Sequence, residues 1–497
     1  MSLALPNLSP PRITVPATPP SASSAGRLDA LCVILCTDKP RFRDLPDGSR
    51  LGREAARREA VRHGGMFSGW MPSAGGRPVF AGFLKPGAPA HEALTLARKL
   101  LAATKPVRAR RIGLYAAGPD QDQHREALLA GTLAAAVSMP QFRRKPARET
   151  SLTEIRLFAA GGTDTSAAAA EAEGNGLARW LTALPPNVLG PRAYRTLMET
   201  LADREGWSAE FLGTADLEKA GAGAFCAVAQ GSGDDGAGIL RLKYRPGKGR
   251  RARLALVGKG IVFDTGGTNL KPFRGMLDMH GDMQGSAVAV GTLLALTRLE
   301  WPEPVDCWLA ITANRTGPRA YTSRDVVEAA NGVTIEVIHT DAEGRMALAD
   351  TLVLAGRESP KLIIDYATLT GACVAALTSR YSAVFSNRDD WLPSLVDAGR
   401  RCGERVWPFP ADADFDEALK SEVADVLQCS VDNEGDHILA ARFLRRFVPA
   451  TCDWIHLDLG AGHSKGGLGH VPTPFTGFGV RYTLDLLRNA DLPERPV

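Results

Sequence analysis

Short apolar runs alternate along the chain with stretches that carry the 3.6-residue period of helices. From Leu28 the run LDALCVILC reads as a strand. A helical stretch follows over residues 91–103, then a strand at RRIGLYAA (110–117), a helix over 125–137 and a strand at TSLTEIRLFAA (150–160). Gly161 and Gly162 punctuate, an Ala-rich helix follows, and a domain boundary is expected near residue 165. Beyond it, residues 254–257, 305–311, 333–338 and 362–366 are β-branched or apolar, with helical patterns at 284–299 and 347–357 between them. Near-continuous apolar strands separated by helices predict a sheet covered on both faces. The expected fold class is α/β. A small N-terminal α/β domain (27–165) precedes a larger C-terminal domain (166–497) with a central, largely parallel or mixed sheet flanked by helices. Residues 1–26, with six prolines among Ser, Thr and Ala, are expected to form a disordered Pro/Ser-rich tail.

Composition narrows the function classes. Hydrophobic residues make up 44% of the 497, enough for a sizeable core. No apolar stretch approaches the roughly 18–20 residues of a membrane span. Net charge is +4, which gives no strong steering towards nucleic acid or membrane. The short basic clusters at 143–145 and 248–253 read as solvated surface. Eight dispersed cysteines without a CxxC pair imply buried free thiols in a reducing compartment. The N-terminus does not read as a signal peptide, so the expected location is cytoplasmic.

Three expected strand ends carry unusual chemistry. After 254–257 comes GKGIVFDTGGTNLKPFRGMLDMHGDMQG, with Lys259, Asp264, Lys271, Asp278 and Asp282. After 333–338 comes HTDAEGR, with Asp341, Glu343 and Arg345, and after 362–366 comes ATLTG. Open α/β sheets bind ligands outside the carboxyl ends of strands. Four carboxylates converging in one crevice need compensation. Asp264, Asp282, Asp341 and Glu343 sum to about −4, which two divalent cations would cancel. In extended backbone Asp341 and Glu343 would share one face, and Arg345 would remain as an anion-binding fork. Singly, each residue has a plainer reading as a helix cap, turn former or surface charge. GxxxxGK[ST], HExxH and GxSxG are all absent, so neither a phosphate loop, a zincin nor a serine hydrolase is indicated.

These residues resemble the leucyl aminopeptidase family of cytosolic dinuclear-metal aminopeptidases. HTDAEGRMALAD (339–350) lies close to that family's signature, and GKGIVFDTGGTNLKP and IDYATLTGACVAAL match in spacing and chemistry. Weaker likenesses at LPPNVLGP, AQGS, FLRRF, HLDL and TGFGVR extend the resemblance over residues 175–487. The resemblance implies a metallo-exopeptidase releasing N-terminal residues, Leu or other apolar ones, from peptides with a free N-terminus. It implies two metal ions (Zn²⁺ or Mn²⁺) on Lys259, Asp264, Asp282, Asp341 and Glu343, with a water or hydroxide between them as nucleophile. Lys271 would polarise the carbonyl. Arg345 would hold bicarbonate as general base, near the Leu369 backbone. Met279, Thr368 and Gly371 would line the side-chain pocket. A homohexamer is also implied. Some members of the family bind DNA as regulators, a reading the weak net charge does not favour. This chain departs from the family at His280, His339, Asp436, His437 and the 460–474 loop, departures expected to bear on substrate preference.

Overall fold

A computed structural model describes residues 3–145, 151–159, 164–233, 235–247, 251–432 and 434–493. Met1 and Ser2, the Gly161–Gly162 punctuation, Thr150 and Ala160 of one expected strand, and residues 248–250 of the second basic cluster lie outside the described residues.

The N-terminal sheet contains β1 (Arg12–Thr14), β2 (Ala30–Cys36), β3 (Met66–Met71), β4 (Arg77–Leu84), β5 (Arg111–Ala117) and β6 (Glu154–Phe158), in the order β1-β6-β5-β2-β4-β3. All neighbours are parallel except β3 and β4. Every residue of β2 is buried, as its unbroken apolar run requires of a strand covered on both faces. β3 alternates exposed and buried along its length, which suits an edge. The expected disordered tail is corrected here. Arg12–Thr14 extend the sheet beside β6, and Ala22–Gly26 form a short helix with a Ser21–Ser24 capping box. The prolines flank these elements rather than interrupt them.

The larger sheet draws on β7 (Ser208–Gly213), β8 (Gly238–Tyr244), β9 (Leu254–Asp264) and β10 (Val305–Asn314). A side sheet of three uses β11 (Val326–Glu328) and β12 (Thr334–Glu336). Completing both are β13 (Leu362–Ala367), β14 (Ser382–Ser386), β15 (Val406–Pro408), β16 (Val426–Leu427) and β17 (Asp453–Asp458). The large sheet runs β15-β14-β17-β13-β9-β10-β8-β7 and the side sheet β11-β12-β16. The centre, β17-β13-β9-β10, is parallel, whereas β8 and β7 add antiparallel to one side and β14 pairs antiparallel with β17. The sheet is therefore mixed and helices flank it.

Side-chain alternation along β9 divides the core. Leu254 and Leu256 pack with the Thr165–Thr182, Gln284–Arg298 and Val480–Asn489 helices. Ala255 and Val257 pack with the Glu343–Arg357 and Asp436–Arg445 helices. The expectation that residues 333–338 end in the same sheet as β9 and β13 is corrected, because β12 belongs to the side sheet. Seven of the eight cysteines are buried, Cys226 is half-buried, and all are free. Among the described residues no helix is long and apolar enough to cross a membrane.

Candidate metal centre

β9 is longer than its apolar run. It continues through Gly258–Phe263 to Asp264, so Lys259 and Asp264 are strand residues rather than members of a following loop. Lys259 is buried. Its Nζ lies 2.8 Å from Asp282 Oδ1 and 2.9 Å from Glu343 Oε1, and it donates to the Thr368 carbonyl at 3.0 Å. Burial works against its charge, but the Asp282, Glu343 and Asp264 carboxylates outweigh burial and hold its pKa above the ordinary lysine value.

Beyond Asp264 the chain folds back. Gly266 and Gly267 both have positive φ, of 88° and 68°, a conformation that glycine adopts without a Cβ penalty. The Gly266 N–H donates to Asp264 Oδ1 at 2.8 Å, and the Lys271 N–H to the Thr265 carbonyl at 2.9 Å. This turn carries Lys271 Nζ to 2.8 Å from Asp264 Oδ2 and into contact with Asp341 Oδ1. Asp264 is fixed from the neighbouring strand by Asn314, whose Nδ2 donates to Asp264 Oδ1 at 2.8 Å and to the Thr340 carbonyl at 2.9 Å.

Asp341 and Glu343 do not lie in extended backbone, and that expectation is corrected. The Ala342 N–H closes a turn on the His339 carbonyl, and Glu343 is the first residue of the Glu343–Arg357 helix. The two carboxylates still converge, because the turn and the helix start present them together. One oxygen each from Asp264, Asp341 and Glu343 lie within 4.8 Å of one another. The helix start also places positive backbone potential beside Glu343. A Cβ on Gly344 would sit 2.5 Å from Lys259 Cε, so only glycine admits Lys259 there.

Asp282 arrives on the Met279–Met283 turn, where its Oδ1 accepts from Thr368 Oγ1 at 2.7 Å. Met279 shares that turn and is half-buried. Thr368 and Leu369 follow β13, and Gly371 opens the Gly371–Leu377 helix behind the Thr370 cap. The Leu369 N–H donates to Asp458 Oδ1 at 3.1 Å, and Thr370 Oγ1 to Asp458 Oδ2 at 2.6 Å.

The donor set fits divalent cations. Asp282 Oδ2 and Glu343 Oε2 are buried and have no hydrogen-bond partner among the described residues, an arrangement that costs free energy unless something positive meets them. Burial, followed by the neighbouring Asp264 charge, raises the Asp341 pKa to about 6. Burial likewise raises Asp282 and Glu343, against the pull of Lys259. Two ammonium groups offset about half the charge of four carboxylates, and oxygen-rich remainders of this kind suit divalent cations.

Arg345 does not present an open fork. It is fully buried, and its Nη2 lies 2.7 Å and 2.8 Å from the two oxygens of Asp436. Its Nη1 donates to the Gln428 carbonyl at 3.2 Å. The expectation that Arg345 and the Leu369 backbone hold bicarbonate therefore meets two donors already engaged, by Asp436 and Asp458. Asp436 was legible only as a departure from the family pattern. Gln428 and Asn314, which brace the site, carried no sequence signal, since a buried amide in a loop or strand looks like any other. Gln428 Oε1 accepts from the Ile338 and His339 N–H groups, and its Nε2 donates to the Ala342 carbonyl.

Residues 176–484 match the catalytic domain of the cytosol aminopeptidase family. A "Probable cytosol aminopeptidase" of Syntrophotalea carbinolica is 42% identical over 315 residues. That match covers 63% of this chain and 63% of the relative, so the chain spans just under two thirds of the relative's length. Among solved structures, a mutant of tomato leucine aminopeptidase superposes with a TM-score of 0.84 at 27% identity, covering 98% of this chain and 99% of the other. The bottromycin maturation enzyme BotP in complex with Mn gives 0.80 at 31% identity, covering 93% and 99%.

Proposed function

The chain belongs to the cytosol aminopeptidase family, and on that premise we propose that it is a metal-dependent aminopeptidase that releases N-terminal residues, Leu or other apolar ones, from peptides. The observation that carries this reading is the convergence of buried Asp264 and Glu343 with half-buried Asp341, with unpaired oxygens on Asp282 and Glu343. Lys259, Asp264, Asp282, Asp341 and Glu343 would hold two divalent cations, Zn²⁺ or Mn²⁺. When bound, such cations supply Lewis acidity and a water acidic enough to attack at neutral pH.

The remaining chemistry belongs to the chain. Lys259 offers a lone pair only after losing its proton, so metal uptake and proton release are linked at this residue. Lys271 stays charged against Asp264 and Asp341, where its ammonium can polarise the scissile carbonyl and stabilise the oxyanion that develops. A free N-terminal amine has a lone pair that a cation held here would accept, whereas an acylated nitrogen does not, which is the basis of exopeptidase selectivity. Met279, Thr368 and Gly371 would line the pocket for the first side chain. We place the protein in the cytoplasm, in keeping with the names of its relatives, and as a homohexamer, for which light scattering should give about 300 kDa at micromolar concentration.

The test is hydrolysis of aminoacyl-amides and short peptides, each with a free and an N-acetylated terminus. Release is expected from free termini, fastest for apolar first residues. Equal rates on acetylated peptides would contradict the reading.

A further inference from the structure

We propose that Asp436 is a built-in replacement for an exchangeable oxyanion: its carboxylate fills the Arg345 fork, so the site takes up no bicarbonate and works without it. The inference rests on the aminopeptidase reading, because the family resemblance is what implies an anion at Arg345 and the Leu369 backbone. Three observations carry it. Both Asp436 oxygens lie at hydrogen-bond distance from one guanidinium nitrogen, at 2.7 Å and 2.8 Å. The second terminal nitrogen is spent on the Gln428 carbonyl. The Leu369 N–H is spent on Asp458. Arg345 Nε is buried without a partner among the described residues, and a single N–H offers no bidentate seat for a second oxyanion.

The fold holds Asp436 where it is. Gly435 turns through a left-handed conformation, φ 61° and ψ 30°, and Asp436 then opens the Asp436–Arg445 helix. A carboxylate in the first turn of a helix is electrostatically favoured. The Arg345 side chain is 2% exposed and that of Asp436 15%, so the pair is shielded from solvent. A dissolved anion entering here would have to lie against the Asp436 carboxylate, and like charges resist sharing a site. A tethered carboxylate, by contrast, carries no cost of recruitment from solution.

The test reads anion binding directly and does not require turnover. Carbon-13 bicarbonate is titrated into the metal-free full chain and followed by NMR. No saturable binding is expected for the wild type. Asp436→Gly should bind bicarbonate in the millimolar range, and the double variant Asp436→Gly/Arg345→Met should not. In carbon-dioxide-free buffer the wild-type holoenzyme should hold its rate within about twofold. Asp436→Gly should be slower by about tenfold or more and recover when bicarbonate is added. Saturable binding to the wild type that Arg345→Met abolishes would overturn the proposal, and so would a folded Asp436→Gly that neither binds nor responds. If Asp436→Gly does not fold, the wild-type titration decides. A chain without peptidase activity leaves the NMR result intact, so failure of the proposal and failure of the aminopeptidase reading are told apart.

Discussion

Lys259 and Lys271 meet the same carboxylates from opposite sides, and their surroundings separate their roles. Lys259 is closed in by Asp282, Glu343 and the Thr368 carbonyl, as a ligand is. Lys271 keeps 14% of its side chain open and can reach a bound carbonyl. Lys271→Ala should therefore keep metal content near about two per chain while kcat falls about 10²–10³-fold, or roughly 3–4 kcal/mol. Asp282→Ala should lose metal first and activity as a consequence. Elemental analysis and kcat on both variants separate the two, and near-wild-type kcat in Lys271→Ala would refute its assignment. A second residue reports on pH. Glu404 is buried, and its Oε2 accepts from the Gly479 and Tyr482 N–H groups at 2.9 Å each. Burial outweighs those two donors and raises its pKa from 4.5 to about 7. A raised acid binds a proton in the folded state that the unfolded chain has released. Its contribution to stability is thus complete below pH 4.5 and lost as pH rises through about 7. Glu404→Gln keeps an acceptor for both N–H groups and removes this dependence. Denaturant unfolding should find it about as stable as wild type at pH 4.5 and more stable at pH 8 by up to about 3 kcal/mol. An unchanged difference between the two pH values would refute the assignment.

At the scale of elements, apolar periodicity found where β9, β10 and β13 begin but misjudged where β9 and β10 end. β9 outlasts its apolar run by seven residues, because Gly258, Lys259 and Gly260 still pair in register with β10. Polar residues are retained in that strand since the site satisfies them, and sequence pattern carries no record of such satisfaction. The helix expected from Ala347 begins at Glu343 for a related reason: its first turn is spent on the site rather than on the core. The expected alternation of Asp341 and Glu343 failed because two residues of turn brought the carboxylates together by another route. Gly344, in the first turn of the Glu343–Arg357 helix, lies against the Lys259 side chain of β9. Gly344→Ala would place its Cβ 2.5 Å from Lys259 Cε and 2.6 Å from Nζ. The clash falls on a side-chain tip, so the fold should survive while Lys259 shifts from its carboxylates. Metal affinity should drop by about 10-fold or more, measured by calorimetric titration, with far-UV circular dichroism unchanged. Wild-type affinity in Gly344→Ala would show that Lys259 is not a ligand.

For the whole molecule, the two-layered logic of the large sheet was readable from strand composition, and the N-terminal tail was not. Its prolines signalled extended chain, while the pairing of Arg12–Thr14 with β6 depends on a long-range edge that no local pattern encodes. The candidate site was legible because its residues cluster in three short blocks. The Asp436–Arg345 pair, 91 residues apart in the chain, was not, because its two halves meet only when helices on one face of the sheet pack together. We propose that this packing assembles a two-cation aminopeptidase centre. Metal-free chain titrated with Mn²⁺ or Zn²⁺, while leucine release from leucine amide is followed, tests it most directly. Activity should be absent without metal and rise to saturation at about two equivalents per chain. Activity that survives exhaustive chelation, or none at two equivalents bound, would contradict the account.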